Sequence, residues 1–274
     1  MLATTMENVN NIWERPITLS AVQPKLTPEM IQTAESQLGY RLPAAYIELM
    51  YLQNGGGLRC AYTKDNSNYK IMGIGPNEDS ITNNEFLPKV PKGLIPFDGV
   101  CEFVLCFDYR TDPDNPSIVQ ITMESGKIAS EEIIGATFNE YLEKLRIFED
   151  TEVFVVENSM KVGALARTIA EVLKTRLIPN FSAGNLRYFG YYKNDVKISL
   201  CCNKVPKYLQ EDDLPVHVTE RDDLNDSTLR HPEVNENYSF LDIGHEEYDG
   251  QRYELVQKLR DAGLVINSLN NLYF

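Results

Sequence analysis

The chain has 274 residues, 43% of them apolar and 24% charged, a composition that buries a core and suits one large domain or two ordinary ones. Its formal net charge of −14 speaks against direct binding of nucleic acid or of an anionic membrane surface, because both recruit clustered Lys and Arg. No apolar run approaches the roughly 18 to 20 residues needed to span a bilayer, and residues 1–11 lack a basic-then-apolar signal pattern, so a cytoplasmic location is expected.

Residues 1–24 read as an N-terminal leader, with a short helix over 9–13 and the sole tryptophan, Trp13, packing onto the first domain. Residues 26–57 then carry clear punctuation for two helices. Thr27 is placed to cap the first, Pro28 fits its first position, and Glu29 complements the positive end of the helix dipole. Ile31, Ala34 and Leu38 recur at helical spacing, and Gly39 can end the helix in a left-handed conformation. Pro43 opens the second helix, with Tyr46, Leu49 and Met50 on its buried side. Asn54 and the glycine triplet at 55–57 stop it and lead into a strand. The triplet follows a helix and no Gly-Lys-Ser/Thr comes after it, so it is not a phosphate loop.

Strands are expected over 59–62, 69–74, 101–108 and 117–123. The stretch 75–93 reads as an irregular excursion, and 109–116, rich in Asp, Asn and Pro, as a turn. A helix over 136–148, with Phe138, Leu142 and Leu145 on one face, closes the first domain.

This half of the chain resembles the SUKH superfamily, which includes yeast cell-wall-synthesis regulators and many bacterial immunity proteins. The resemblance rests on Leu38-Gly39, Leu42-Pro43, Tyr46 and Asn54-Gly55-Gly56. It continues through Leu94-Ile95-Pro96-Phe97, the apolar run ending in Phe107-Asp108, and Thr137-Phe138 with Tyr141-Leu142. It covers about residues 25–147. It implies an α+β fold with a mainly antiparallel sheet flanked by helices, and a non-enzymatic, protein-binding role.

The domain boundary is placed at 149/150, giving a leader at 1–24, a SUKH-like domain at 25–149 and a second α+β domain at 150–274. In the second domain, 151–157 reads as a strand and Ser159 as the cap of a helix through 175, striped by Val162, Leu165, Ile169 and Leu173. Residues 186–192 and 196–202 form a hairpin around 193–195. Strands follow at 216–219 and 238–243. A helix at 251–262, with Tyr253, Leu255, Val256 and Leu259 as its apolar positions, ends at Gly263 and returns as a strand at 264–266. Strands broken by single helices point to α+β architecture.

Chemistry-bearing patterns are sparse. The histidines His217, His231 and His245 form no His-Glu-x-x-His motif, and there is no nucleophile elbow or dinucleotide fingerprint. Cys60, Cys101, Cys106, Cys201 and Cys202 are odd in number and lack a disulfide or zinc spacing, which fits free thiols in a reducing compartment. No catalytic residue, metal site or cofactor is expected. The acidic stretch is the functional lead. Glu211, Asp212, Asp213, Asp222 and Asp223 crowd one segment and would steer a basic protein partner, with anchors drawn from Tyr188, Phe189, Tyr191 and Tyr192. These aromatics alternate on a strand, so only some can face outward. Together with the resemblance, this points to an immunity protein that caps a basic toxin domain. The alternatives are a regulatory scaffold and, behind it, an enzyme with an unrecognised site in the second domain. Oligomeric state is left open.

Overall fold

The computed structural model describes residues 12–62, 70–83, 87–100, 102–146, 153–157, 160–182, 185–193, 196–209, 227–244 and 249–269. The chain divides into two compact units, Met1–Phe148 and Glu149–Phe274. Both are α+β, and their larger sheets are antiparallel throughout. Among the described residues, no helix is long and apolar enough to cross a membrane.

In the first unit, helix α1 spans Pro28–Leu38. The Thr27 hydroxyl accepts a hydrogen bond from Met30 N, and Gly39, at φ 75°, closes the helix with its N–H on the Glu35 carbonyl, so a residue without a Cβ sits where the left-handed turn requires one. Helix α2 spans Ala44–Leu52 and buries Tyr46, Leu49 and Met50. Pro43 is its N-cap rather than its first residue. The short strands β1 (Gly56–Gly57) and β2 (Lys70–Ile71) pair next to it.

The expected strand at 59–62 is absent. Instead, Ala61 bridges Arg146, and Arg59 N donates to the Ile12 carbonyl, so isolated bridges hold this stretch between two separate segments. Trp13 is buried and bridges Leu58. It packs onto this unit as expected, but neither Ile12 nor Trp13 is helical, and residues 9–11 lie outside the described set.

The main sheet follows chain order: β3 (Leu94–Val100), β4 (Phe103–Asp108), β5 (Ser117–Glu124) and β6 (Lys127–Gly135). The 109–116 turn forms as expected, with the Asp112 carboxylate accepting from the backbone N–H groups of Asp114 and Asn115. Two of these strands were not anticipated. Strand β3 carries Pro96 and an irregularity in register between Pro96 and Asp98, features that blur a strand pattern. Strand β6 is largely exposed, with Ile133 73% accessible, so no apolar alternation marks it. Pairing with β5 holds it, and Arg110 grips both Asp108 and Glu131.

Helix α3 spans Phe138–Lys144, shorter than 136–148, and is capped by the Thr137 hydroxyl on Glu140 N. Phe138 and Leu145 lie in the core and Leu142 packs partly buried against it, as expected; Tyr141 joins them. Tyr46, Phe97, Phe107, Phe138 and Tyr141 form one aromatic cluster. Phe97 stacks on Phe107 at 4.5 Å, and Tyr46 meets Phe107 edge-on at 5.2 Å, geometries that add to plain area burial.

In the second unit, β7 (Val153–Glu157) precedes helix α4 (Val162–Leu173). Strand β8 (Ile178–Ser182), strand β9 (Asn185–Tyr192) and strand β10 (Val196–Cys202) follow. A small ladder of β11 (Lys204–Pro206) and β12 (Ser227–Leu229) leads to β13 (Ser239–Gly244), helix α5 (Asp249–Asp261) and β14 (Val265–Ser268). The six-stranded sheet runs β14-β7-β13-β10-β9-β8.

The expected hairpin of β9 and β10 forms, with Tyr192 opposite Val196 and Arg187 opposite Cys201. Leu165, Ile169 and Leu173 of α4 and Leu255, Val256 and Leu259 of α5 cover one sheet face. Tyr253 is not part of that core, being 61% exposed. Edge strand β8 was unexpected because Pro179 interrupts it; proline within sheets is confined to such edges. The expected Ser159 cap and the 216–219 strand lie outside the described residues.

Candidate docking surface

The motif residues of the first unit turn out to be clasps. The Asn54 amide donates to the carbonyls of Pro24 (2.6 Å) and Ile74 (2.9 Å), and its oxygen accepts from Ile74 N (2.8 Å). One buried side chain thereby satisfies three backbone groups where two chain segments meet. The Tyr46 hydroxyl donates to the Met72 carbonyl at 2.5 Å. Gly73 lies against the Asn54 backbone so closely that a Cβ there would collide with it.

Asp98 stands out in this unit. Only 1% of it is exposed, and among the described residues neither carboxylate oxygen has a hydrogen-bond partner of good geometry. Desolvation pushes its pKa up to about 8, while the backbone N–H groups of Gly99 and Lys70 and the Lys70 charge pull the other way. Burial and the nearby Asp98 also raise the Tyr141 phenol. A buried, isolated carboxyl near neutrality can mark a catalytic site. Here it lies close to the Tyr141 and Tyr62 rings, and it is not among the residues lining a cavity of about 490 Å³ in this unit, which include Glu29, Met30, Thr33, Gln37, Pro76 and Asn83.

The second unit presents a surface at one end of its sheet. Helix α4 ends at Lys174, in a left-handed conformation at φ 52°. The chain then crosses strand β9 at Gly190, where a Cβ would collide with the Arg176 carbonyl and the Leu177 side chain. The Thr175 hydroxyl donates to the Tyr191 carbonyl and fixes the crossing. Alternation sorts the aromatic run of β9. Tyr188 and Tyr192 pack against the helix-covered core, while Tyr191 is 62% exposed and Phe189 is half-buried on the opposite face.

On that face Phe189 pairs with Ile178 of β8, and Tyr191 pairs with Lys197 of β10. The Lys197 ammonium sits 5.3 Å from the Phe189 ring centre. Arg176, Ile178, Pro179, Phe189, Tyr191 and Lys197 line a cavity of about 610 Å³. A second cavity of about 580 Å³ shares Thr175 and Tyr191 with it and adds Lys174, Lys193, Lys258 and Asp261. Glu254 Oε1 lies 2.9 Å from Lys193 and 3.0 Å from Lys258. Hydrogen bonds from these two lysines lower its pKa to about 2.

Glu211, Asp212, Asp213, Asp222 and Asp223 lie outside the described residues, as do His217, His245 and Cys101. His231 is held within the second unit. Its ring packs on Phe240, its Nδ1 lies 3.3 Å from Glu233, and its backbone is clasped by Asn203. Cys60, Cys106, Cys201 and Cys202 are free thiols, and burial raises the Cys106 and Cys201 pKa values, which makes them inert rather than nucleophilic. Among the described residues no cluster of His, Cys, Asp or Glu could hold a metal ion.

The cations Lys174, Arg176 and Lys197 were not singled out in the sequence. The Tyr191–Lys197 pairing was available from the hairpin register; the arrival of Arg176 and Ile178 was not.

No curated protein matches the chain. Residues 25–144, within the first unit, match the model of the SMI1 / KNR4 family (SUKH-1).

Proposed function

We propose that this chain is a two-domain immunity protein that binds and neutralises a basic toxin domain. The observation that carries this reading is the SUKH-1 match over residues 25–144, since the superfamily includes many bacterial immunity proteins. The paucity of catalytic patterns and the net charge of −14 agree with a protein that works by occlusion, through an interface of roughly 1,600 Å² over the toxin's active site. Glu211, Asp212, Asp213, Asp222 and Asp223 supply long-range attraction to the basic partner in the cytoplasm. Electrostatic steering sets the association rate, while a few central anchors set affinity.

The test is purification of the tagged chain from its source cells, identification of a one-to-one partner, and co-expression with that partner. Protection of cells from a single basic toxin supports the reading. Recovery of several housekeeping proteins without protection replaces it with the scaffold role of the yeast relatives.

A further inference from the structure

The second unit carries a surface of opposite sign to the chain as a whole. Lys174, Arg176 and Lys197 are exposed and make no ion pair among the described residues, in contrast to Lys193 and Lys258, which share Glu254. These three surround an apolar floor made by Ile178 (51% exposed), Phe189 and Tyr191. Exposed tyrosine beside arginine is the combination that dominates binding energy at protein interfaces. Pairing with β10 positions Tyr191, and the Thr175 hydroxyl on the Tyr191 carbonyl holds the segment that carries Arg176, so part of the ordering cost of binding is already met.

We propose that this face docks an acidic protein segment, with carboxylates on Lys174, Arg176 and Lys197 and an apolar side chain against Phe189 and Tyr191. Charge complementarity chooses the occupant. Cations without an ion pair among the described residues want anions, and the floor wants an apolar group between them. A nucleic acid is the other polyanion, but its affinity comes from many phosphates meeting many cations, and a chain of net charge −14 repels so dense a charge. A short segment mixing carboxylates with an aromatic or aliphatic residue suffers less repulsion and uses both parts of the surface.

Recognition runs through the face rather than by strand addition. Strand β8 is terminal in the sheet, but Pro179 has no N–H to offer a partner strand. Its residues are other than Glu211, Asp212, Asp213, Asp222 and Asp223, so separate substitutions test the two readings.

A random 12-residue peptide library displayed on phage is selected against the full-length protein and counted against Tyr191→Ala and Arg176→Glu variants. Both substitutions are at exposed positions and should leave the thermal midpoint unchanged. The expected result is enrichment of peptides with net negative charge and at least one aromatic or aliphatic residue. Synthetic copies of these should bind at least tenfold more weakly to either variant, and progressively more weakly as salt rises. Three results would overturn the proposal: no peptide whose binding depends on Tyr191 and Arg176, enrichment of neutral or basic peptides, or tighter binding of a labelled single-stranded oligothymidylate than of any selected peptide.

Discussion

The buried carboxyl of Asp98 makes the stability of the first unit depend on pH in a direction opposite to that of an ordinary salt-bridged aspartate. In the unfolded chain Asp98 titrates near 4; in the folded chain burial raises it to about 8. The folded state holds the proton more tightly, so the full stability contribution is present below pH ~4 and is lost as pH rises toward 8. At 1.36 kcal/mol per unit, a separation of about four units amounts to a loss on the order of 5 kcal/mol across the window.

Asp98→Asn removes the titration while keeping nearly the same shape. Trp13 is the only tryptophan and is buried in the first unit, so its fluorescence reports urea unfolding of that unit selectively. Repulsion among the other acidic residues acts on both proteins and cancels in the difference. The wild-type stability should fall relative to Asp98→Asn by several kcal/mol between pH 4 and pH 8. Parallel curves over that range would show that Asp98 is hydrated or paired, and would refute the reasoning.

Asn54→Ala should destabilise the first unit by roughly 3 kcal/mol, because it strands three backbone groups that the amide satisfies; the same fluorescence assay measures it. Asn203→Ala should free the 230–234 segment, since its amide holds the His231 and Val234 carbonyls and the His231 N–H, and faster hydrogen exchange at His231 is the readout. Gly190→Ala should lower the thermal midpoint of the second unit, at a cost of about 1–3 kcal/mol, through collision with the Arg176 carbonyl. Replacing Glu211, Asp212, Asp213, Asp222 and Asp223 by Asn or Gln should slow association with a basic partner and flatten its salt dependence; an unchanged rate in stopped-flow mixing would reduce the segment to mere surface.

Features under local control were legible without the fold. Thr27, Pro28 and Gly39 punctuate α1 by capping, dihedral preference and the left-handed turn. The spacing of Leu165, Ile169 and Leu173 fixes the buried stripe of α4, and the β9–β10 hairpin follows from alternation around a short turn. The resemblance to the SUKH superfamily was legible for the same reason, since its residues are caps, stops and core positions.

Tertiary structure decided whatever depends on a distant partner. Strand β6 exists because β5 and Arg110 hold it, not because of its own pattern. Residues 59–62 are not a strand because their neighbours bridge them singly. The burial of Asp98 arises where an irregular strand turns a carboxylate into an aromatic core. The basic face around Tyr191 likewise needs Arg176 and Ile178 delivered by the crossing over Gly190. Such features are set by long-range pairing and desolvation, which no window of sequence contains.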